Sequence, residues 1–305
     1  MFGTMDVSME HPTLVQIKTE DGPVLPGLLY EAPKSKKVAI HLHGNGSTSV
    51  FYHDDQRDEQ VKAMREKGIS FLLFNNRGAN YIKTLDIKKK GKVERKRFGM
   101  AYEKIKDCIQ DIDGAIATLE KMGYREFYLI GESTGANKIC VYNYYKPKNK
   151  VSKYILLGGG DDTGIYYDML GKAKFYKLLQ KAQAKIKEMK GDDIVAELLP
   201  TIFSYTGFYD TANPDGDYNV FPFSEVIKKH KLSKKTLFRH FKSLNKPTLV
   251  IYGEKDEYAW GDVSKVVSIL KEQKPEFAYN IIAGADHGFS NKQKELSKHM
   301  VQWLA

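Results

Sequence analysis

Ser133 occupies the centre of Gly131-Glu132-Ser133-Thr134-Gly135, after an apolar run (Phe127, Tyr128, Leu129, Ile130) and before apolar residues at helical spacing (Ile139, Val141, Tyr142, Tyr145). Strand, G-x-S-x-G and helix in that order are the context in which the five-residue pattern marks a nucleophilic serine. The reason is steric. A serine at so tight a turn is forced into an unfavourable backbone conformation that lifts its hydroxyl clear, and glycines at 131 and 135 let strand and helix come close on either side. The helix starting just after Ser133 also aims its free N–H groups and positive end at the place where an oxyanion would form.

A serine hydroxyl is a poor nucleophile at neutral pH and needs a base, which in turn needs an orienting partner. Of the eight histidines, only His43 and His287 fall at strand ends. His41 lies inside a strand, and His11, His53, His230, His240 and His299 fall at the N-terminus or on helices and loops elsewhere. His43 belongs to the turn His43-Gly44-Asn45-Gly46, which leaves His287, in Gly284-Ala285-Asp286-His287-Gly288-Phe289, as the candidate base. Asp256, in Gly253-Glu254-Lys255-Asp256-Glu257-Tyr258, is the candidate acid; Glu257, Asp161 and Asp162 compete with it. Acyl transfer further needs donors aimed at the developing oxyanion, each worth roughly 3–4 kcal/mol. The backbone N–H groups of Thr134 and Asn45 are the candidates, the latter between Gly44 and Gly46.

The elements that must position these groups follow from hydrophobic periodicity. Residues 13–19 and 24–31 alternate as a hairpin around Asp21-Gly22-Pro23. Buried strands are expected at 37–42, 69–75, 127–130, 151–159, 248–252 and 277–284, and helices at 54–67, 102–122, 262–272 and 291–304. The long helix 102–122 buries Ile105, Ile109, Ile112, Ile116 and Leu119; the basic stretch 82–98 reads as an exposed excursion. Strands alternating with helices imply a mostly parallel sheet with helices on both faces, and catalytic groups beyond the carboxyl ends of its strands. From about Asp161 to Leu244 the pattern changes to lysine-rich helical segments (172–190 and 192–199), a loop (210–222), and helices at 224–229 and 233–242. The expected organisation is one core, 1–160 and 245–305, with 161–244 inserted as a helical cap over the catalytic edge.

The 305 residues suffice for such a core, and 42% hydrophobic with 28% charged residues is ordinary globular composition. The net charge of +10 is spread over most of the chain without a nucleic-acid motif, so no nucleic-acid partner is expected. Lys172, Lys174, Lys177, Lys181, Lys185, Lys187 and Lys190 cover more than one helix face and read as a solvated surface. Tyr166, Tyr167, Phe175, Tyr176, Phe203, Tyr205, Phe208 and Tyr209 read mostly as helix-to-core packing. Cys108 and Cys140 fall on apolar helix faces, without metal-ligand spacing, as reduced buried thiols. The N-terminus lacks the apolar core of a signal peptide, and no apolar run approaches the roughly 20 residues that span a bilayer. A cytoplasmic protein without stable membrane association is expected; oligomeric state stays open.

His43-Gly44-Asn45-Gly46, Asn75-Asn76-Arg77-Gly78, Gly131–Gly135, Gly253–Tyr258 and Gly284–Phe289, in this order, resemble the α/β-hydrolase superfamily over nearly the whole chain except 161–244. The resemblance implies an α/β-hydrolase fold, a triad of Ser133, Asp256 and His287, and an oxyanion hole from Asn45 and Thr134, with no metal or organic cofactor. The superfamily often has aspartate where Asn76 stands, and nothing catalytic depends on that departure. Ser-Thr-Gly with a later Asp-Glu-Tyr is weakly similar to a branch that includes fungal siderophore esterases; the residues following that branch's elbow are not reproduced, so its substrate is not carried over. Serine at the elbow favours acyl chemistry, and a small-molecule carboxylic ester is the expected substrate. The alternatives are an amidase or peptidase using the same triad, and a non-catalytic binding protein on the hydrolase scaffold.

Overall fold

The computed structural model describes residues 11–51, 57–89 and 91–305. The expected hairpin forms as β1 (Thr13–Lys18) and β2 (Val24–Tyr30), paired antiparallel. The apolar runs become β3 (Lys37–Leu42) and β4 (Ile69–Phe74), the latter buried throughout. Helix α1 (Asp58–Glu66) joins them; the expected residues 54–56 of that helix, and His53, lie outside the described residues.

The stretch 82–98 is mostly exposed, as expected, but it is not irregular. It folds as a separate antiparallel pair, β5 (Lys83–Lys89) and β6 (Lys92–Phe98), turned at Gly91. Its few apolar residues matter, since Ile87 and Phe98 are buried while Lys92–Arg97 stay exposed. Helix α2 (Cys108–Lys121) also starts later than its periodicity suggests, after 3-10 turns at Met100–Tyr102 and Ile105–Asp107. The Ile105 N–H donates to Asp210 and the Glu103 carboxylate pairs with Lys138, so long-range partners replace the first helical turn.

Beyond α2 come β7 (Glu126–Glu132), α3 (Thr134–Tyr145) and β8 (Val151–Leu157). Segment 161–244 contains α4 (Asp162–Leu170), α5 (Lys172–Lys187), α6 (Tyr205–Ala212), α7 (Phe223–Ile227) and α8 (Arg239–Lys242). Two of these, α4 and α6, escape the periodicity reading and are fixed by caps. Asp161 accepts from the Gly164 N–H, and Ser204 from the Gly207 N–H. Conversely 192–199 is not a helix apart from a 3-10 turn at Ala196–Leu198, because Val195 donates to Phe203 and Ile194 bridges to Ser204. Residues 233–238 likewise precede α8 rather than joining it. The chain closes with β9 (Thr248–Gly253), α9 (Val263–Gln273), β10 (Ala278–Ile282) and α10 (Gln293–Leu304).

The main sheet runs β1-β2-β4-β3-β7-β8-β9-β10, antiparallel at β1-β2 and β2-β4 and parallel from β4 to β10. Side chains alternate across it. Val38, Ile40, Leu129, Leu156 and Val250 join α2, α3 and α9 on one face, whereas Ala39, Tyr128, Ile130, Ile155 and Ile251 join α1 and α10 on the other. Segment 161–244 divides between two cores. Phe175, Leu178, Phe203 and Phe208 form a smaller cluster with Met100, and Phe221, Phe223, Phe238 and Phe241 pack into the main core. The lysines of α5 are exposed apart from the half-buried Lys185. Among the described residues no helix is long and apolar enough to cross a membrane.

Candidate active site

The parallel strands end side by side, so the loops after β3, β7, β8, β9 and β10 share one edge. Ser133 joins β7 to α3 with φ of 54° and ψ of −123°, a conformation that serine adopts only under strain. The neighbours enforce it. The Ser133 N–H donates to the Leu157 carbonyl of β8 at 2.8 Å, and a Cβ on Gly135 would sit 2.0 Å from the Leu42 carbonyl oxygen. Helix α3 can therefore approach the end of β3 only with glycine there. The loop after β3 closes the other side: a Cβ on Gly44 would lie 3.0 Å from Ser133 Cβ and 3.5 Å from its Oγ.

His287 lies in the loop after β10, and its Nδ1 hydrogen-bonds Asp256 Oδ1 at 2.9 Å and Oδ2 at 3.0 Å. Asp256 is nearly inaccessible, at 4% exposure, and its Oδ1 also accepts from the Tyr258 N–H. The Tyr258 ring packs edge-on against the imidazole at 4.7 Å. The pair reaches the serine side of the edge through Gly158, where a Cβ would lie 3.1 Å from His287 Cε1 and Nδ1 and 3.2 Å from Asp256 Oδ2. Gly158 directly follows Leu157, the acceptor of the Ser133 N–H. Ser133 and His287 are not hydrogen-bonded to one another; such contacts commonly tighten only when substrate is bound. Burial disfavours charge on His287, but the bond and charge of Asp256, aided by Glu132 and Glu257, outweigh it and hold the imidazole above its ordinary value.

The competing acids have other partners. Glu257 accepts from the His287 backbone N–H at 3.1 Å. Asp161 caps α4 and also accepts from the Ser224 N–H, and burial raises its carboxyl to about 7 against those bonds. Asp162 begins α4; burial raises it to about 6, opposed by the nearby His287 ring. Thr134 is the first residue of α3, so its N–H has no intrahelical partner. Asn45 is half-buried in the turn closed by the Ser47 N–H on the Gly44 carbonyl. His43 is buried with Nδ1 on the Gly44 carbonyl oxygen, and burial, with Lys138 nearby, keeps it neutral.

Two charged groups behind the serine were not singled out from sequence. Glu132 Oε2 lies 3.0 Å from Arg57 and 3.3 Å from His41 Nε2; burial alone would raise this carboxyl, but these partners hold it well below the usual range. Lys138 is fully buried on α3, 2.7 Å from Glu103 Oε1 and 3.3 Å from Asn76 Oδ1. A charge at the end of a buried strand (Glu132) and a lone lysine, the one charged residue of helix α3 (Lys138), were the available signals, since buried ions need partners. Asn76, flagged only as a departure, is thus a ligand for a buried ammonium.

A family model described as a protein of unknown function (DUF1749) matches residues 98–305, more than half of the chain. The chain belongs to the DUF1749 family. The DUF1749 match takes in Ser133, Asp256, His287 and all of 161–244, and begins after the His43–Gly46 turn. No curated protein sequence matches the chain. Solved structures give the fold. An esterase of Pyrococcus furiosus is 17% identical, with a TM-score of 0.58 over 100% of this chain and 94% of its own. Est1E of Butyrivibrio proteoclasticus is 12% identical, with a TM-score of 0.61 over 97% and 98%. Carboxylesterase CesB of Bacillus subtilis is 15% identical, with a TM-score of 0.55 over 97% and 92%. This DUF1749 chain has the α/β-hydrolase fold.

Proposed function

We propose that the protein is a serine hydrolase that cleaves carboxylic esters of small molecules through an acyl-enzyme. The observation that carries the reading is the strained Ser133 at the head of α3, on the same edge as an imidazole held at Nδ1 by both oxygens of a buried carboxylate. Ser133 Oγ attacks the acyl carbon while His287 Nε2 takes its proton. Asp256 fixes the tautomer that leaves Nε2 free and stabilises the imidazolium. The Asn45 and Thr134 N–H groups receive the oxyanion. Collapse expels the alcohol, which takes the proton from His287. A water deprotonated by His287 then attacks the acyl-serine and frees the acid. Segment 161–244 is the cap over this edge. The esterases among the structural relatives support ester over other acyl chemistry.

Burst kinetics with p-nitrophenyl butanoate and labelling by a fluorophosphonate test the reading together. The wild type should show a burst of one p-nitrophenolate per chain and should label, and Ser133→Ala should do neither. Equal turnover by Ser133→Ala would sink the assignment. Failure of the wild type to label would favour a binding protein on this scaffold, and faster turnover of the matched anilide would make it an amidase.

A further inference from the structure

Glu132 stands immediately before the nucleophile, at the end of β7, and its carboxylate is held from two sides. Oε2 accepts from Arg57 Nη2 at 3.0 Å and lies 3.3 Å from His41 Nε2. Neither partner stops there. Arg57 Nη1 donates to the Thr48 carbonyl at 3.2 Å, and His41 Nδ1 lies 2.8 Å from Ser49 Oγ. Thr48 and Ser49 belong to the loop after β3 that carries Asn45. Two arms therefore run from the residue before Ser133 to the loop proposed to supply one oxyanion donor. Both arms are sheltered from water, since Arg57, His41, Thr48 and Ser49 are all buried.

Other bonds of this loop lead away from the elbow. Asn75 Oδ1 accepts from the Ser49 and Val50 N–H groups at 2.8 and 2.9 Å, and the Asn80 N–H donates to the Ser47 carbonyl at 3.2 Å. These set the loop against the chain that follows β4, whereas the Glu132 arms set it against Ser133 itself. Such registration matters because an oxyanion donor works only at about 2.7–3.1 Å from the developing charge. A slip of the loop past the elbow would leave nucleophile and base in place and lose the hole. We propose that Glu132 is a positioning residue, which through Arg57 and His41 holds the loop bearing the Asn45 N–H in register with Ser133. A carboxylate accepts without donating, and so can serve a guanidinium and an imidazole at one oxygen. Those partners hold Glu132 well below the usual carboxylate range against its burial, so the clamp stays charged wherever the esterase would work.

The inference rests on the esterase reading, and the wild type alone decides that reading. Without a burst from p-nitrophenyl butanoate it fails, whatever Glu132 does. With the burst in hand, kcat is expressed per titrated site for wild type, Arg57→Met and Ser49→Ala, which cut one arm each. Unfolded protein then drops out of the comparison, so a role in stability alone leaves this number unmoved. Complete loss of an oxyanion donor costs about 10²–10³-fold in kcat, and Arg57→Met should lose about tenfold or more, with KM within about twofold of wild type. Ser49→Ala should fall in the same direction by less. Affinity for butylboronic acid, whose tetrahedral adduct on Ser133 places an oxygen in the hole, should fall in step with kcat. Arg57→Lys, which keeps one cationic donor, should recover part of the loss. Wild-type kcat per site in both Arg57→Met and Ser49→Ala overturns the proposal, as does a rise in KM with kcat or boronate affinity intact. Should Arg57→Met yield no titratable sites, Ser49→Ala, which removes a single hydroxyl, decides alone.

Discussion

His287 can accept the Ser133 proton only when its ring is neutral, and Asp256 raises the pH at which that happens. The acid limb of kcat/KM should accordingly lie above the ordinary histidine value near 6.5. In Asp256→Asn burial loses its main opponent, with only Glu132 and Glu257 left against it, so the limb should move to lower pH, while kcat falls on the order of 10⁴-fold through loss of the productive tautomer. An unmoved limb in that variant would exclude Asp256 as the partner that sets His287. The same raised value means that the folded state holds the His287 proton more tightly than the unfolded chain does. The resulting stabilisation is full below about 6.5 and disappears as pH rises through the folded value. Glu132 acts with the opposite sign: its lowered carboxyl stabilises the fold above the unfolded value near 4.5 and loses that contribution as pH falls. Glu132→Gln leaves Arg57 buried without its anion and should cost about 3 kcal/mol in urea unfolding at neutral pH.

At the level of elements, the elbow depends on α3 lying against the end of β3. Gly135→Ala places a methyl 2.0 Å from the Leu42 carbonyl oxygen, so the helix must shift. A loss of about 3 kcal/mol is expected, together with a fall in turnover, because the Ser133 turn moves with the helix. Gly160→Ala, where an added Cβ meets nothing within 4 Å, is the control that should melt like wild type. The Lys138–Glu103 pair ties α3 to the chain before α2. Either Lys138→Met or Glu103→Leu alone strands a buried charge and should cost about 3–5 kcal/mol. The double variant should recover most of that loss, and additivity of the two single losses in urea melts would refute the coupling.

Over the whole molecule, segment 161–244 is joined to the sheet by the same core that supports the site. Phe221 is 1% exposed and packs against Gly159, just beyond β8, where a Cβ would lie 2.5 Å from its ring. Phe221→Ala should lower global stability by about 3–5 kcal/mol, shifting the urea midpoint in a single transition. A separate early transition in that variant would mean that this part of the segment unfolds by itself. Most lysines of α5 face solvent, apart from the half-buried Lys185, and Lys181 lies over the Tyr205 ring.

The sequence by itself determined the strands, because β3, β4, β7 and β9 are apolar runs buried on both faces and any other placement would expose them. It also determined which loops end together, since parallel strands must deliver Ser133, Asp256 and His287 to one edge. What it could not determine were features governed by partners distant in the chain. The start of α2 is decided by Asp210 and Lys138, the contact of His287 with Asp256, while Asp161 is held by the Gly164 and Ser224 N–H groups, by tertiary packing, and the β5–β6 pair by two buried side chains in a charged stretch. Periodicity records which face of an element is covered. It is blind to the single long-range bond that halts a helix, such as that of the Ile105 N–H to Asp210, or commits a carboxylate, such as that of the Ser224 N–H to Asp161.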